Sequence, residues 1–407
     1  MYFSDVRIRN YRNLEKVDVD LSKGINLFIG DNGQGKSNFI EALFYSTQGT
    51  SFRPIDKESL INKSEPEVAL VKANVNHSDL ESELILRLHR GKNKIVTLNG
   101  KRISKTKMIQ FFPMILFSPD SLTVIKQGPD ERRKLLDDFI VSTSASEGQA
   151  LTDFKKCLKN RNRLLSKIAD SETTSAEDLA TLDSINQIYF GLCLKVSLAR
   201  LNAIQKISLN LSETGNFLFQ DSNVDISVNY VISGEVVSGK ELSEANDTPI
   251  EIPVPDSSEI LTKLLKRHDQ LAAAEKATGT SLVGPHKHDI KFMFNGQDSR
   301  YFCSQGQQRA LILAFKIAHV RYFQEEFQRT PILMLDDVLS ELDLQRRRFL
   351  IQFLKKIEAQ IFMTSTDLQM LDQFDDHIGR IFNVKSGQIK LANHQESSKN
   401  TLNSSDF

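Results

Sequence analysis

Short apolar runs separated by polar turns dominate the first 130 residues and predict a β-rich region. The runs lie at residues 3–10, 25–30, 67–75, 82–90, 94–103 and 111–119. The Asn99-Gly100 pair inside one run indicates a tight hairpin turn. A helix is predicted after the second run, because Ile40, Leu43 and Phe44 fall on one side of a helical projection.

From about residue 130 to residue 211 the spacing becomes helical, and Gly and Pro are rare. Apolar positions recur every three or four residues among Leu, Lys, Arg and Ser, which is typical of long amphipathic helices. The later pattern predicts, in order, a strand at 224–232, a polar loop around Pro249–Pro255, a helix at 258–277 and a strand at 289–294.

These patterns together predict an α/β lobe that is divided by a mostly helical insertion. We place the two parts of the lobe at residues 1–128 and 278–391, and the insertion at residues 129–277. The polar tail, residues 392–407, is expected to be disordered.

The composition excludes several classes of protein. The 407 residues carry 26% charged side chains and a formal net charge of zero, so a nucleic-acid site would have to be a local patch. Three isolated cysteines argue against a disulfide framework and a zinc site. No apolar segment has the length of a membrane span, and no signal-peptide core opens the chain. We therefore expect a cytoplasmic protein without a membrane partner.

Residues 30–37, GDNGQGKS, match the phosphate-binding pattern G-x-x-x-x-G-K-[ST] between a predicted strand and a predicted helix. Backbone amides of such a loop cradle phosphates, the lysine reaches the β- and γ-phosphates, and the serine hydroxyl binds Mg²⁺. An ordinary Gly-rich turn is the alternative. The predicted nucleotide contacts are Gly30, Asp31, Asn32, Gly33, Gln34, Gly35, Lys36 and Ser37, and Lys36 is also a predicted catalytic residue.

A second candidate is the stretch PILMLDDVLSELD at residues 331–343, in which a short buried strand ends in two carboxylates. Beside a phosphate cradle, Asp336 is suited to hold Mg²⁺ directly or through water. Asp337 is then the candidate general base or orienter of the attacking water. The alternative is a strand that ends in acidic turn residues.

A third candidate is the helix start CSQGQQRAL from residue 303, where Ser304, Gly306 and Gln307 precede apolar positions. Free amides at a helix start attract anions, although an ordinary N-capped core helix has the same pattern. The order of cradle, long insertion, Ser-x-Gly-Gln helix start and Asp-Asp strand resembles the ABC-type ATPases, and among them the SMC-like group. This resemblance implies an ABC-type head with a mixed sheet. It also implies that Ser304 and its neighbours touch the γ-phosphate held by an opposite subunit.

Within that group the chain resembles the RecF family of bacterial repair proteins over nearly its whole length except the tail. The stretches that carry the resemblance are RIRNYRN at 7–13, GDNGQGKSN at 30–38, FSPDSL at 117–122, GPDERRKLLD at 128–137, LKNRNRLL at 158–165, GPHKHD at 284–289, SQGQQRALILAFKIA at 304–318 and LMLDDVLSELD at 333–343. The chain departs from the family at Lys287 and His288, where an Arg and an Asp are usual, and at Cys303, where a small residue is usual.

The RecF resemblance implies ATP with Mg²⁺ as cofactors, a homodimer on ATP binding, DNA (duplex, gapped or single-stranded) as ligand, and RecR and RecO as partners. It also implies slow hydrolysis and help in loading the recombinase at single-strand gaps. Asp337 stands where transporters place a longer glutamate, and Thr366 where they place a histidine. In related ATPases the residue at Arg12 touches the nucleotide phosphates; a surface arginine is the alternative. Gln127 and His286 are left open.

Two cationic sets are candidates for the DNA contact. One is the segment 87–107, which has no acidic residue, and the other repeats every fourth residue along one helical face, with Lys156 and Arg161 nearby. The predicted contacts are Arg87, Arg90, Lys92, Lys94, Lys155, Lys159, Arg163 and Lys167. The alternative for each set is a solvated surface.

Two other functions remain open at this point. The nucleotide-binding subunit of a membrane transporter would share the cradle, but the missing histidine and the large insertion argue against it. A small-molecule phosphotransferase would share the cradle without needing the Ser304 helix start. DNA-stimulated ATP turnover would separate these functions.

Overall fold

The computed structural model describes the chain except residues 65–66, 78–79, 172, 174, 221–223, 243–248, 253–254, 368–372, 375–376 and 393–407. The chain divides into two compact units. The first unit comprises Met1–Ser121 and Phe327–Phe407, and the second comprises Leu122–Glu326. The predicted disordered tail lies almost wholly outside the described residues.

The helices of the described residues are α1 Lys36–Gln48, α2 Lys105–Phe111, α3 Pro119–Leu122, α4 Pro129–Thr143, α5 Ala145–Ala169, α6 Ala176–Phe219, α7 Ser257–Thr278, α8 Ser299–Phe302, α9 Gln305–Phe327 and α10 Leu344–Lys356. The strands are β1 Tyr2–Tyr11, β2 Leu14–Asp20, β3 Ile25–Ile29, β4 Val68–His77, β5 Leu80–His89, β6 Ile95–Leu98, β7 Lys101–Arg102, β8 Met114–Phe117, β9 Ile226–Ile232, β10 Glu235–Leu242, β11 Pro249–Ile252, β12 Asp289–Phe294, β13 Gln297–Asp298, β14 Ile332–Asp336, β15 Ile361–Ser365, β16 Ile378–Lys385 and β17 Gln388–Leu391. No helix in the described part of the chain has the length and apolar character to cross a membrane.

Two sheets form the frame of the first unit. One is antiparallel in the order β2-β1-β4-β5-β6-β7, and the other has the order β17-β16-β3-β15-β14-β8. In the second sheet β8, β14, β15, β3 and β16 are parallel, and β17 is added antiparallel at the edge. The carboxyl ends of β3, β15 and β14 therefore meet at one edge, where parallel sheets bind ligands.

The side-chain pattern explains both sheets. Every residue of β3, β14 and β15 is buried, as expected for parallel strands covered on both faces. Strand β4 instead buries alternate residues, so one of its faces packs on the core. Helix α1 contributes to this core through Phe39, whose ring centroid lies 4.5 Å from that of Phe28.

The second unit combines long helices with the antiparallel sheet β11-β10-β9-β12-β13. Helix α5 packs on α6 and α7, and α4 packs on β12. Buried ion pairs join these elements: Arg161 with Glu275 at 2.6 Å and Arg200 with Asp137 at 2.9 Å. Residues 278–326 belong to this unit rather than to the first, because β12 pairs with β9 along its whole length.

One sequence prediction is wrong within this sheet. The polar loop predicted around Pro249–Pro255 begins with strand β11, whose backbone pairs with β10. The first strand residue at a sheet edge tolerates proline, because no ladder hydrogen bond requires its N–H. Strand β10 has no counterpart in the sequence prediction, since Gly and Ser interrupt its apolar alternation.

Candidate nucleotide site

The predicted phosphate cradle is the turn between β3 and α1, at the carboxyl edge of the parallel sheet. A Cβ at Gly30 would lie 2.2 Å from the carbonyl oxygen of Val384, so no larger residue fits there. Gly35 has φ +118°, a conformation that strains other residues, and a Cβ there would lie 3.0 Å from Asn13 Oδ1. The motif glycines are thus required by the backbone path of this loop.

Neighbouring segments brace the loop from outside. Asn13 Nδ2 donates to Gln34 O at 3.1 Å, and Asn38 Nδ2 donates to Asn13 Oδ1 at 2.8 Å. In the β16–β17 turn, Ser386 N donates to Gln34 Oε1 at 2.6 Å, and Gly387 N donates to Gln34 O at 2.8 Å. The side chain and the backbone carbonyl of Gln34 therefore both accept hydrogen bonds within the fold, so the group of Gln34 suited to a phosphate is its backbone N–H.

Lys36 opens helix α1 and is buried. Its ammonium donates to the carbonyl oxygens of Gly30 at 2.5 Å and Asp31 at 2.8 Å. Burial lowers the pKa of Lys36, and the carboxylates of Asp337 and Asp336 oppose this shift. The cation thus lies on the loop within electrostatic range of both predicted acidic residues.

Strand β15 lies between β3, which leads into the cradle, and β14, which carries the two aspartates at its end. Asp336 ends β14 and is paired in register with Thr364 of β15. Thr364 Oγ1 donates to Asp336 Oδ1 at 3.0 Å and accepts from Asp337 N at 2.9 Å. The structure therefore brings the cradle and the predicted acidic pair to the same sheet edge.

The two carboxylates differ in environment. Asp336 is buried, whereas Asp337 is half-buried and has φ +51°. Burial raises the pKa of Asp337, and the Asp336 charge adds to that rise, while Ser340 and Lys36 oppose it. A raised pKa makes a carboxylate a better proton acceptor, which suits the predicted role of Asp337.

Sequence reasoning missed two residues of this site, Thr364 and Arg53. Arg53 Nη2 lies 3.5 Å from Asp336 Oδ2, and Arg53 Nη1 donates to Asn38 Oδ1 at 3.2 Å. Arg53 follows α1 in an irregular segment, where a lone arginine carries no recognisable motif. Thr364 lies two residues before Thr366, which is exposed and stands where transporters place a histidine.

The donor set fits Mg²⁺. Ser37 follows Lys36 at the start of α1, and the Asp336 carboxylate lies within electrostatic range of Lys36. Hydroxyl and carboxylate oxygens, completed by phosphate oxygens and water, are the ligands that Mg²⁺ prefers. Ser37 and Asp336 would hold the ion.

Arg12 is not a free surface arginine. Its Nη2 donates to Glu41 Oε1 at 2.9 Å, and its Nε lies 2.5 Å from Glu41 Oε2. Glu41 belongs to α1, is 0% exposed and also accepts from Ser51 Oγ at 2.5 Å. Arg12 therefore compensates a buried carboxylate on the cradle helix, and its predicted contact with phosphates stays a prediction.

The Ser304 helix start belongs to the second unit. Gln307 N donates to Ser304 Oγ at 3.2 Å, and Ser304 N donates to Gln307 Oε1 at 2.8 Å. This reciprocal pair is a capping box. Ser304 is exposed and Gly306 is half-exposed, while the Gln307 side chain is occupied by the cap.

The cationic segment of the first unit is not uniform. Arg87, Arg90 and Lys92 are exposed, but Lys94 is half-buried. The Lys94 ammonium donates to Gly49 O at the end of α1 and lies 4.7 Å from the Tyr45 ring. Burial lowers the pKa of Lys94 to about 8, and the charges of Lys105 and Lys57 contribute. Lys94 is therefore a weaker candidate for a DNA contact than its neighbours.

The second cationic set lies on α5, where Lys155, Lys159 and Arg163 are exposed. Lys167, at the end of the stripe, forms an ion pair with Asp178 at 2.7 Å. The placement of Arg161 near this stripe is wrong, since its side chain is buried against Glu275. The register explains this, because Arg161 is two residues from each of Lys159 and Arg163 and so faces away from the stripe.

The sequence left His286 and Gln127 open, and the structure places both in the second unit. His286 is held inside that unit, with Nε2 2.9 Å from Ser281 O and Nδ1 3.5 Å from the Tyr189 hydroxyl. Gln127 lies in the turn before α4 and donates from Nε2 to Thr123 Oγ1 at 2.9 Å.

Comparison with known proteins identifies the family of this chain. The family described as RecF/RecN/SMC N terminal domain matches residues 2–390. The DNA replication and repair protein RecF of Citrifermentans bemidjiense is 32% identical over 393 residues, which cover 94% of this chain and 98% of that protein. RecF of Caldanaerobacter subterraneus subsp. tengcongensis is 33% identical over 369 residues, which cover 90% of this chain and 94% of that protein.

Solved structures agree with the sequence relatives. The recombination mediator protein RecF-ATP of the RecFOR pathway superposes with a TM-score of 0.80 at 29% identity, covering 96% of this chain and 98% of that one. The Smc head domain of Pyrococcus furiosus bound to the C-terminal domain of ScpA gives a TM-score of 0.51 at 17% identity, with 98% of each chain covered, and shows the fold alone. The predicted fold, an ABC-type head with a mostly helical lobe, is confirmed. The chain belongs to the RecF family of RecF/RecN/SMC proteins.

Proposed function

We propose that this protein is a slow ATPase of DNA replication and repair that closes as a homodimer when ATP binds and holds DNA in that state. The observation that carries the proposal is the meeting of Lys36, Asp336 and Asp337 at one edge of the parallel sheet. Membership of the RecF family supports the role in repair, and the relative solved as RecF-ATP supports the nucleotide.

The cradle would bind the triphosphate through backbone amides of residues 30–37 and the start of α1. Lys36 would exchange the carbonyl oxygens of Gly30 and Asp31 for the β- and γ-phosphates, because an anionic oxygen is the stronger acceptor. The braced path of the loop keeps its amides oriented before the ligand arrives.

Hydrolysis would be carried by the acidic pair. Ser37 and Asp336 would hold Mg²⁺, which neutralises phosphate charge when it is bound. Asp337 would orient the attacking water and take its proton. Thr364 would position both residues for their different roles. Its hydroxyl donates a hydrogen bond to the Asp336 carboxylate and accepts one from the backbone N–H of Asp337.

A second copy would complete the site. The exposed start of α9 at Ser304 presents backbone amides and the positive end of the helix dipole. In the proposed dimer it addresses the γ-phosphate on the opposite cradle, so closure depends on ATP. Hydrolysis removes that phosphate and lets the two copies separate.

DNA would be bound through phosphates rather than bases. The exposed cations Lys155, Lys159 and Arg163 lie along one helical face, and Arg87 and Arg90 lie on the first unit. Cations at regular spacing bind a phosphate backbone without reading sequence. Duplex or gapped DNA is the proposed ligand, with RecR and RecO as partners in recombinase loading and the cytoplasm as the compartment.

Two substitutions test the proposal. Lys36→Met should abolish ATP binding in equilibrium dialysis while the protein remains folded, because the cradle loses its cation. Ser304→Arg should keep ATP binding but lose the dimers that wild-type protein forms with ATP and Mg²⁺ in sedimentation. ATP turnover that DNA does not stimulate, or dimers that form equally well without nucleotide, would contradict the proposed cycle.

A further inference from the structure

Two adjacent aromatic side chains project from the second unit just before the Ser304 helix start. Tyr301 is 75% exposed and Phe302 is 65% exposed, at the end of the short helix α8. Large apolar side chains that stand together in solvent mark contact surfaces more often than isolated ones do. The mechanism proposed above assigns no role to either ring.

The turn that carries the two rings is held in place by polar contacts. Arg300 Nη2 lies 2.6 Å from Asp298 Oδ2, and its Nη1 lies 3.3 Å from Asp289 Oδ2. From the other side, Gln308 Nε2 donates to Ser299 O at 2.8 Å and to Cys303 O at 3.3 Å. A partner would therefore meet rings whose backbone is already ordered, which lowers the entropy cost of contact.

We propose that Tyr301 and Phe302 form an apolar contact with a second copy of this chain in the ATP-bound dimer. The inference rests on the proposed function, in which Ser304 of one copy addresses the nucleotide of the other. Phe302 precedes Ser304 by two residues, so their Cα atoms are at most about 7 Å apart. If Ser304 reaches the opposite nucleotide, the exposed Phe302 ring lies close enough to the interface to be covered by the second copy.

The local charge favours a protein surface over nucleic acid as the occupant. Arg300 and Arg132 are both paired with Asp289, and Arg300 is also paired with Asp298. Both arginines are therefore offset by carboxylates, so they offer a phosphate backbone less attraction than unpaired arginines would. Aromatic side chains at the centre of protein interfaces, in contrast, carry much of the binding free energy.

The chain contains no tryptophan, so Phe302→Trp introduces a single reporter at this surface. Its emission should shift to shorter wavelength when ATPγS and Mg²⁺ are added, in proportion to the dimer fraction measured by sedimentation on the same samples. The matched control is Ile188→Trp on α6, where the native side chain is 63% exposed. The control emission should not change.

The double variant Tyr301→Ser, Phe302→Ser tests the energetic role. It should bind ATP as wild-type protein does, while its dimer dissociation constant rises about tenfold or more, as expected for loss of a central aromatic contact. The control Ile188→Ser should dimerise like wild-type protein. If the emission of the Phe302→Trp variant does not shift while dimers form, this inference is wrong and the proposed function still stands.

Other outcomes separate the two proposals. If wild-type protein forms no dimer with ATPγS, the proposed dimer itself fails. If the Phe302→Trp emission responds to single-stranded DNA instead of ATPγS, the rings stack on bases and the second-copy contact is wrong.

Discussion

The Thr364 hydroxyl donates a hydrogen bond to Asp336 Oδ1 over 3.0 Å, and its oxygen accepts the backbone N–H of Asp337 over 2.9 Å. One side chain on β15 therefore positions both acidic residues at the end of β14. All three residues lie at the edge where Gly30 N approaches Ser365 O at 3.4 Å. A defect at Thr364 should thus affect the proposed metal ligand, Asp336, and the proposed base, Asp337, together.

Thr364→Val removes this hydroxyl with little change in shape. Because residues that orient metal ligands typically contribute 10- to 100-fold, we expect single-turnover hydrolysis to slow by about that factor while ATP binding persists. Thr364→Ser, which keeps the hydroxyl, is the control and should retain most activity. Equal rates for the valine variant and wild-type protein would show that Asp336 needs no support from β15.

Asp337→Asn removes the proposed proton acceptor. Hydrolysis should slow by about 10²–10⁴, so that the ATP-bound dimer accumulates in sedimentation. Glu341→Gln, in the 3₁₀ turn that follows, is the matched control and should hydrolyse ATP normally. If instead the Glu341 variant is the inactive one, the two roles have to be exchanged.

The environment of Asp337 also sets two pH effects. Burial raises its pKa above the ordinary 3.8, so on acidification hydrolysis should fall at a higher pH than an ordinary aspartate would give. A carboxyl whose folded-state pKa is raised stabilises the fold at low pH, and this contribution is lost as the pH rises through that pKa. At neutral pH the Asp337→Asn protein should therefore melt no lower than wild-type protein, which thermal unfolding at pH 7 would check.

Arg12→Ala leaves the buried carboxylate of Glu41 without its cation. Breaking a buried ion pair at one partner costs about 3–5 kcal/mol, so urea unfolding should show a loss of that size. The double variant Arg12→Ala, Glu41→Gln should regain most of it, since no buried charge remains. An Arg12→Ala protein that unfolds like wild-type protein but binds ATP weakly would instead place this arginine on the nucleotide.

Reversal of Lys155, Lys159 and Arg163 to Glu should weaken binding to all duplex sequences alike. Each lost phosphate contact reduces the slope of log affinity against log salt by about 0.9, so three contacts change it by about 2.7. The control reverses Lys195, Lys266 and Lys276, which are exposed elsewhere in the second unit and change the net charge equally. Fluorescent duplex titrations at several salt concentrations with ATP present would measure both slopes, and identical slopes would place the DNA elsewhere.

Much of the site followed from local sequence. The loop at residues 30–37 depends on the backbone conformation of its glycines and on the side chain of Lys36. All of these residues are adjacent in the chain, so a short sequence pattern identifies them. The same holds for Asp336 and Asp337, because a buried strand that ends in carboxylates has a local signature. The long helices α5 and α6 were likewise predicted, since their apolar spacing extends over many turns.

The predictions that failed or weakened concern partners far apart in the chain. Arg161 belongs to a cationic stretch in sequence, yet Glu275, more than a hundred residues away, draws it into the core. Lys94 is engaged by Gly49 and Arg12 by Glu41. Desolvated charges need partners, and no sequence spacing says which residue will supply one.

The sequence by itself therefore determined the candidate phosphate loop, the acidic strand end, the helix start at Ser304 and the family, because each depends on residues adjacent in the chain. Only the tertiary structure decided that Thr364 and Arg53 touch Asp336, and that Tyr301 and Phe302 stand exposed on an ordered turn. The physical reason is that strand register and burial arise from the packing of distant segments. Packing decides which polar groups must pair and which apolar groups remain in water.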